Sequence, residues 1–283
     1  MIARQTILWA TVAMLALPAV VHAQFILSTN NGRITIAKYT GSGGDIIIPK
    51  MTNGMPVTRI SFQAFEGFAN LTNVTIPSNV TEISNGAFFN CFSLTAITVD
   101  AGNPVYSSLG GALFNKNQTM LIQYRGGKID EDTIPKSVTG IGDLAFVTST
   151  GLTSVTIPSS VISIGIWAFR GCTSLTNVTI GTNVTSIGEN AFEDCTSLTS
   201  VTIPGSVTSI DFGAFSGCSR LTNVAILCSV SSLSRLAFYG CRNLSWIDVN
   251  ASNPSFSSVG GVMFDKSQTT LIHYPMGLSL IHI

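Results

Sequence analysis

Five of the six cysteines in this 283-residue sequence, Cys91, Cys172, Cys195, Cys218 and Cys241, stand three residues after the Phe of an Ala-Phe pair. A thiol in such a column could ligate a metal, attack as a thiolate or close a disulfide. A metal site needs ligands converging from different directions, typically a C-x-x-C spacing with His partners, and neither is present. Of the three His, His22 lies in the N-terminal apolar segment, and His273 and His282 lie near the C-terminus, away from the cysteine column. His273 matches Gln123 in a duplicated segment, which reads as a polar strand position and not as a general base. No G-x-S-x-G, G-x-x-x-x-G-K-[ST] or H-E-x-x-H motif occurs. Asp130-Glu131-Asp132, with Asp143 nearby, forms the one acidic cluster. Its carboxylates could hold a hard cation, and the plainer reading is a solvated, distorted turn. The inventory argues against an enzyme, implies no cofactor and leaves binding as the function class.

The elements that position the cysteines are repeats. Ala64-Phe65, Ala87-Phe88, Ala145-Phe146, Ala168-Phe169, Ala191-Phe192, Ala214-Phe215 and Ala237-Phe238 recur in steps of 23 wherever two units adjoin. The consensus is L-T-x-V-T-I-P-x-x-V-T-x-I-G-x-x-A-F-x-x-C-x-x. A period in the twenties with fixed aliphatic positions builds a solenoid in which each unit is one coil and stacking buries the apolar face. Leu152, Val155 and Ile157 are expected to point inward from a short parallel strand, and Val161 and Ile164 from a second segment, with Pro158 and Gly165 at the bends. The Ala-Phe pair is expected on a single-turn helical corner, with the Phe side chains stacked in an interior column. The fold class is thus a mainly β repeat solenoid with short helical corners.

Two segments break the period. Residues 100–124 and 250–274 match each other at a distance of 150 residues, and the polar turns Asn115–Gln118 and Asp265–Gln268 make each a β-hairpin insert. At the front, Asn31-Gly32 between apolar runs predicts a capping hairpin within residues 24–59, which also hold the first partial coil. After the second insert the chain runs only from Pro275 to Ile283, so the last coil is expected to present an uncovered edge.

Residues 1–23 combine Arg4, an apolar run from Ile7 to Val21 and Val21-His22-Ala23, the pattern of a signal peptide cleaved after Ala23. The solenoid then spans residues 24–283, exported as a secreted, periplasmic or cell-surface protein, with no integral membrane span after cleavage. The charge balance is 14 basic against 14 acidic residues, net zero, without basic runs. That excludes the electrostatic footprint of nucleic-acid binding.

Neighbouring coils lie ~5 Å apart, so adjacent cysteines such as Cys172 and Cys195 are within disulfide reach, and export would permit the bond. The same column also holds Phe68 and Ser149, which points to a buried, space-filling thiol. At the level of sequence both readings stand.

The repeat, together with the N-P-x-[YF]-S-S-x-G-G-x-x-F-[ND]-K motif of the inserts, resembles the BspA-type leucine-rich repeat family of bacterial surface and secreted proteins, over essentially the whole chain after residue 23. The resemblance implies a right-handed solenoid used for adhesion or recognition. Its binding residues are expected on the concave face, at the third and fifth strand positions. The candidates are Asn177, Thr179, Ser200, Thr202, Asn223, Trp246 and Asp248. Trp246 stands out, because large aromatics anchor interfaces where Ser, Thr and Asn contribute little. The expected partner is an extracellular protein. The alternative is a carbohydrate- or ice-facing array built on the Thr column at 75, 98, 133, 156, 179 and 202, and a hydrolase is the weakest reading.

Overall fold

The computed structural model describes residues 24–124 and 134–278. Residues 1–23, where a signal peptide is expected, and the acidic trio Asp130-Glu131-Asp132 lie outside the described residues, as do residues 279–283.

Each coil contributes two short parallel strands because its apolar positions alternate with Ser, Thr and Asn, the pattern of a half-buried strand. One ladder pairs Ser154–Thr156 with Asn177–Thr179, and further along Ser200–Ile203 pairs with Asn223–Ile226 and then Trp246–Val249, all in parallel register. The second ladder runs through Gly140–Ile141, Ser163–Ile164, Ser186–Ile187, Ser209–Ile210 and Ser232–Leu233. The inward positions named from sequence, Leu152, Val155, Ile157, Val161 and Ile164, are all buried. The result is a mainly β solenoid of about 9 turns.

The corners are not helical: no α-helix occurs among the described residues. In an α-helix every interior amide bonds within its own segment. Here alternate amides do so, Ala168 N–H to the Gly165 carbonyl, Arg170 to Trp167 and Cys172 to Phe169. The amides between them reach the next coil: Trp167 N–H to the Glu189 carbonyl, Phe169 to Ala191 and Gly171 to Glu193. The corner is therefore a third intercoil ladder, and a helix would abandon it. Left-handed backbone at Trp167 (φ 56°) and Gly171 (φ 71°) turns the chain between bonds. The second of these positions is legible in the sequence as the Gly, Asn or Asp two residues after the Phe, at Gly67, Asn90, Gly171, Asp194, Gly217 and Gly240.

The aromatic column forms two stacks. Tyr39, Phe65 and Phe88 make the first, and Tyr124, Phe146, Phe169, Phe192, Phe215 and Phe238 the second, with centroids 4.5–5.7 Å apart within the second. The first insert divides them. Its strand Ala112–Asn115 sends Leu113 into one core, and Ala112 and Phe114 into the other, as the two-residue period of a strand dictates.

Each insert is a three-stranded antiparallel meander, one strand more than a hairpin: Tyr106–Leu109, Ala112–Asn115 and Met120–Gln123 in the first, Phe256–Val259, Val262–Asp265 and Leu271–His273 in the second. The added strand turns at Gly110-Gly111 and Gly260-Gly261, all with positive φ. A buried Asn anchors each insert to the preceding coil. Asn103 Nδ2 donates to the Pro77 and Val80 carbonyls while its Oδ1 accepts from the Val105 and Tyr106 amides. Asn253 repeats the arrangement with Leu227, Val230, Ser255 and Phe256. The expected front hairpin is present, Phe25–Asn30 pairing with Arg33–Tyr39 across Asn31-Gly32.

Candidate binding face

The column of thiols lies in the core. Cys91, Cys172, Cys195, Cys218 and Cys241 are unpaired and buried, and Cys228 is unpaired and exposed. Each buried thiol donates to a Phe carbonyl of the preceding coil: Cys172 to Phe146 at 3.1 Å, Cys195 to Phe169 and Cys218 to Phe192 at 3.2 Å, Cys241 to Phe215 at 3.1 Å. Burial pushes the Cys91, Cys172 and Cys241 thiols up to about 12 and raises Cys195 and Cys218 well above the ordinary thiol value, so these groups stay protonated donors. His273 closes the long aromatic stack edge-on to Phe238, centroids 5.6 Å apart. Desolvation lowers its pKa, which suits a neutral ring in that position. Among the described residues no group of three or more His, Cys, Asp or Glu could hold a metal ion.

The seven candidate residues stand on one face because each alternates with a buried Val or Ile of its strand. Val178, Val201, Val224 and Ile247 point into the core, and Asn177, Thr179, Ser200, Thr202, Asn223, Trp246 and Asp248 are exposed. Strand register aligns Ser200 with Asn223 and Asn223 with Trp246, and it aligns Thr202 with Ala225 and Ala225 with Asp248.

The face is not continuous. Strand Asn177–Thr179 does not pair with Ser200–Ile203. The Thr95, Thr176 and Thr222 amides each donate to the Thr one coil back, at Thr72, Thr153 and Thr199, but Thr199 makes no such bond. A groove of about 350 Å³ lies there, with Asn177, Thr179, Ser200 and Thr202 along it and Pro204 and Leu227 at one end. A methyl on Gly181 would fall 2.6 Å from the Pro158 carbonyl carbon and 2.8 Å from the Ile157 oxygen, so only glycine lets this coil settle so close to the one before it.

Trp246 is half exposed at 48%. Its inner part covers the second insert, since a methyl on Gly261 would meet the indole at 2.9 Å. At the same place in the first insert Gly111 packs on Ala96. The tryptophan thus shields a turn and presents an aromatic surface at once. Asp248 continues the row from Ala225, while Asn177 through Thr202 form the separate groove.

A family model described as "BspA type Leucine rich repeat region" matches residues 45–126 and 122–245, in six copies. No curated protein matches the sequence. Among solved structures, a leucine-rich cell-surface protein from Faecalibacterium prausnitzii superposes with a TM-score of 0.59 at 22% identity, over 80% of this chain and 93% of that one. The pneumococcal vaccine antigen PcpA gives 0.64 at 21% identity, over 75% of this chain and 51% of its own. A leucine-rich repeat protein from Eubacterium ventriosum gives 0.57 at 24% identity, over 83% and 67%. At these identities the likeness is one of fold.

Proposed function

Because the chain belongs to the BspA-type leucine-rich repeat family, we propose that it is a non-catalytic scaffold, exported to the cell surface or beyond, that binds an extracellular protein through its exposed strand row. The observation that carries this reading is Trp246, a half-exposed aromatic in a row otherwise made of small polar side chains, which is where binding energy concentrates at protein interfaces. Asn223 and Asp248 flank it with hydrogen-bonding groups. The surface setting of the Faecalibacterium relative supports the location, and a solenoid offers such rows as an extended platform.

A lattice-matching Thr array is less well supported, because the row reads Thr202, Ala225, Asp248 in register and loses its hydroxyl repeat. The test is retention of proteins from an extracellular extract by the chain beginning at Gln24, followed by Trp246→Ala. Affinity for the retained protein is expected to fall by ~2 kcal/mol or more. Unchanged affinity would remove Trp246 from the site, and retention of polysaccharide alone would overturn the protein-binding reading.

A further inference from the structure

We infer that the groove between Ile166 and Phe212 is a second recognition site, for a polypeptide segment that presents an arginine or lysine beside an apolar residue. It shares no residue with the strand-row groove and does not depend on the reading above.

Ile166, Glu189 and Phe212 occupy one corner position in three successive coils. With coils ~5 Å apart, the two apolar side chains stand on either side of the carboxylate. Both are well exposed, Ile166 at 43% and Phe212 at 51%, although burying them in the interior would have been favourable. Between them runs a groove of about 420 Å³, walled also by Asp211 and Leu233. It arises where a glycine column ends. Gly165 and Gly188 lie against the preceding coil so closely that a methyl on either would fall within 2.9 Å of its backbone. In the next coil Asp211 takes this position, its amide keeps the ladder bond to the Ile187 carbonyl at 3.1 Å, and its side chain adds a second carboxylate to the groove.

The other acidic groups of this side are already engaged. Asp143 accepts from the Ile166 amide at 2.8 Å and from Asn85 at 3.2 Å, and Glu193 pairs with Arg170 at 2.7 Å. Glu189 accepts only a long bond from Asn190 Nδ2 at 3.5 Å, and neither it nor Asp211 has a cationic partner among the described residues. Arg235 continues the corner column past Phe212 but does not line the groove. A guanidinium or ammonium group suits the site on three counts. The carboxylates can pair with it, the Phe212 ring can face its charge, and its aliphatic stem can lie along Ile166 and Leu233. A neutral or acidic segment would leave both carboxylates uncompensated as water is displaced.

The test is titration of the chain from Gln24 with acetyl-Leu-Arg-Leu-amide, followed by amide and methyl chemical shifts. Saturable shifts are expected at Ile166, Glu189, Phe212 and Leu233. Replacing the peptide's arginine with citrulline, which leaves the protein untouched, should weaken binding by about fivefold or more, in keeping with two solvent-accessible ion pairs. Glu189→Gln with Asp211→Asn should do the same, and Trp246→Ala should change nothing. No saturable shift up to about 10 mM, shifts centred elsewhere, or a citrulline peptide that binds within about fivefold of the parent would overturn the inference.

Discussion

The thiol of Cys218 donates to the carbonyl of Phe192, 3.2 Å away in the preceding coil. The relation recurs at Cys91, Cys172, Cys195 and Cys241, so each cysteine couples two coils and none couples two sulfurs. Under native, non-reducing conditions a thiol reagent should label Cys228 alone, and denaturation without reductant should release all six thiols. Any cysteine that still requires reductant would contradict the thiol ladder. Cys218→Ala should cost about 1–2 kcal/mol, since the Phe192 carbonyl keeps its bond from the Cys195 amide.

Asn253 should be among the least replaceable polar residues. Its side chain is fully buried and makes four hydrogen bonds, holding two carbonyls of one coil and two amides of the insert. Asn253→Ala leaves those groups without partners, at about 1–3 kcal/mol each where water cannot reach them. Chemical denaturation should show a loss exceeding about 3 kcal/mol, and Asn103→Ala should behave alike. A loss within about 0.5 kcal/mol, ordinary for a surface change, would mean that the insert holds without its anchor.

The coil, its two inward-facing strands and the aromatic column are legible in the repeat period alone, because stacking demands the same apolar positions in every unit. The corner reads as helical in the sequence because Ala and Phe say nothing about where amides point. Alternation between bonds within the coil and bonds to the next is a property of neighbours, and the left-handed turn at Trp167 has no marker in its own residue type. The thiol's carbonyl partner is hidden for the same reason. Trp246 is legible as an exception in its column, but its contact with Gly261 is not, since that depends on an insert strand that a simple hairpin lacks. Nothing in the residue types of Asn177 or Ser200 signals the parting between their strands. The one local clue is Gly181, where the flanking coils carry Pro158 and Pro204.

His273 should make the last coil sensitive to acid. Its pKa is held below the ordinary 6.5 by desolvation, so the unfolded chain takes up a proton at a higher pH than the folded one. Stability is therefore unaffected by this group above about pH 6.5 and declines as pH falls below it, until the folded imidazole also protonates. His273→Gln, which installs the residue found at the matching position Gln123, should flatten the stability profile below about pH 6.5. An identical slope in both proteins would show that the ring against Phe238 is not the titrating group.

Gly181 should control the opening beside the candidate row. Because the Thr199 amide lacks the intercoil bond that Thr176 and Thr222 make, its hydrogen exchange should be faster than theirs by about tenfold or more, as expected for a group outside the protected ladder. Equal protection of the three amides would mean that the strands pair in solution. Gly181→Ala drives a methyl onto the Pro158 backbone and should cost about 1–3 kcal/mol, the usual penalty for overfilling a close contact. The coil can relieve that clash only by moving away from Ser154–Thr156, toward Ser200–Ile203. Protection at Thr199 should then rise while protection at Thr176 falls. A destabilised variant in which both amides lose protection together would show general loosening of the stack, and the parting of the two strands would need a cause other than Gly181.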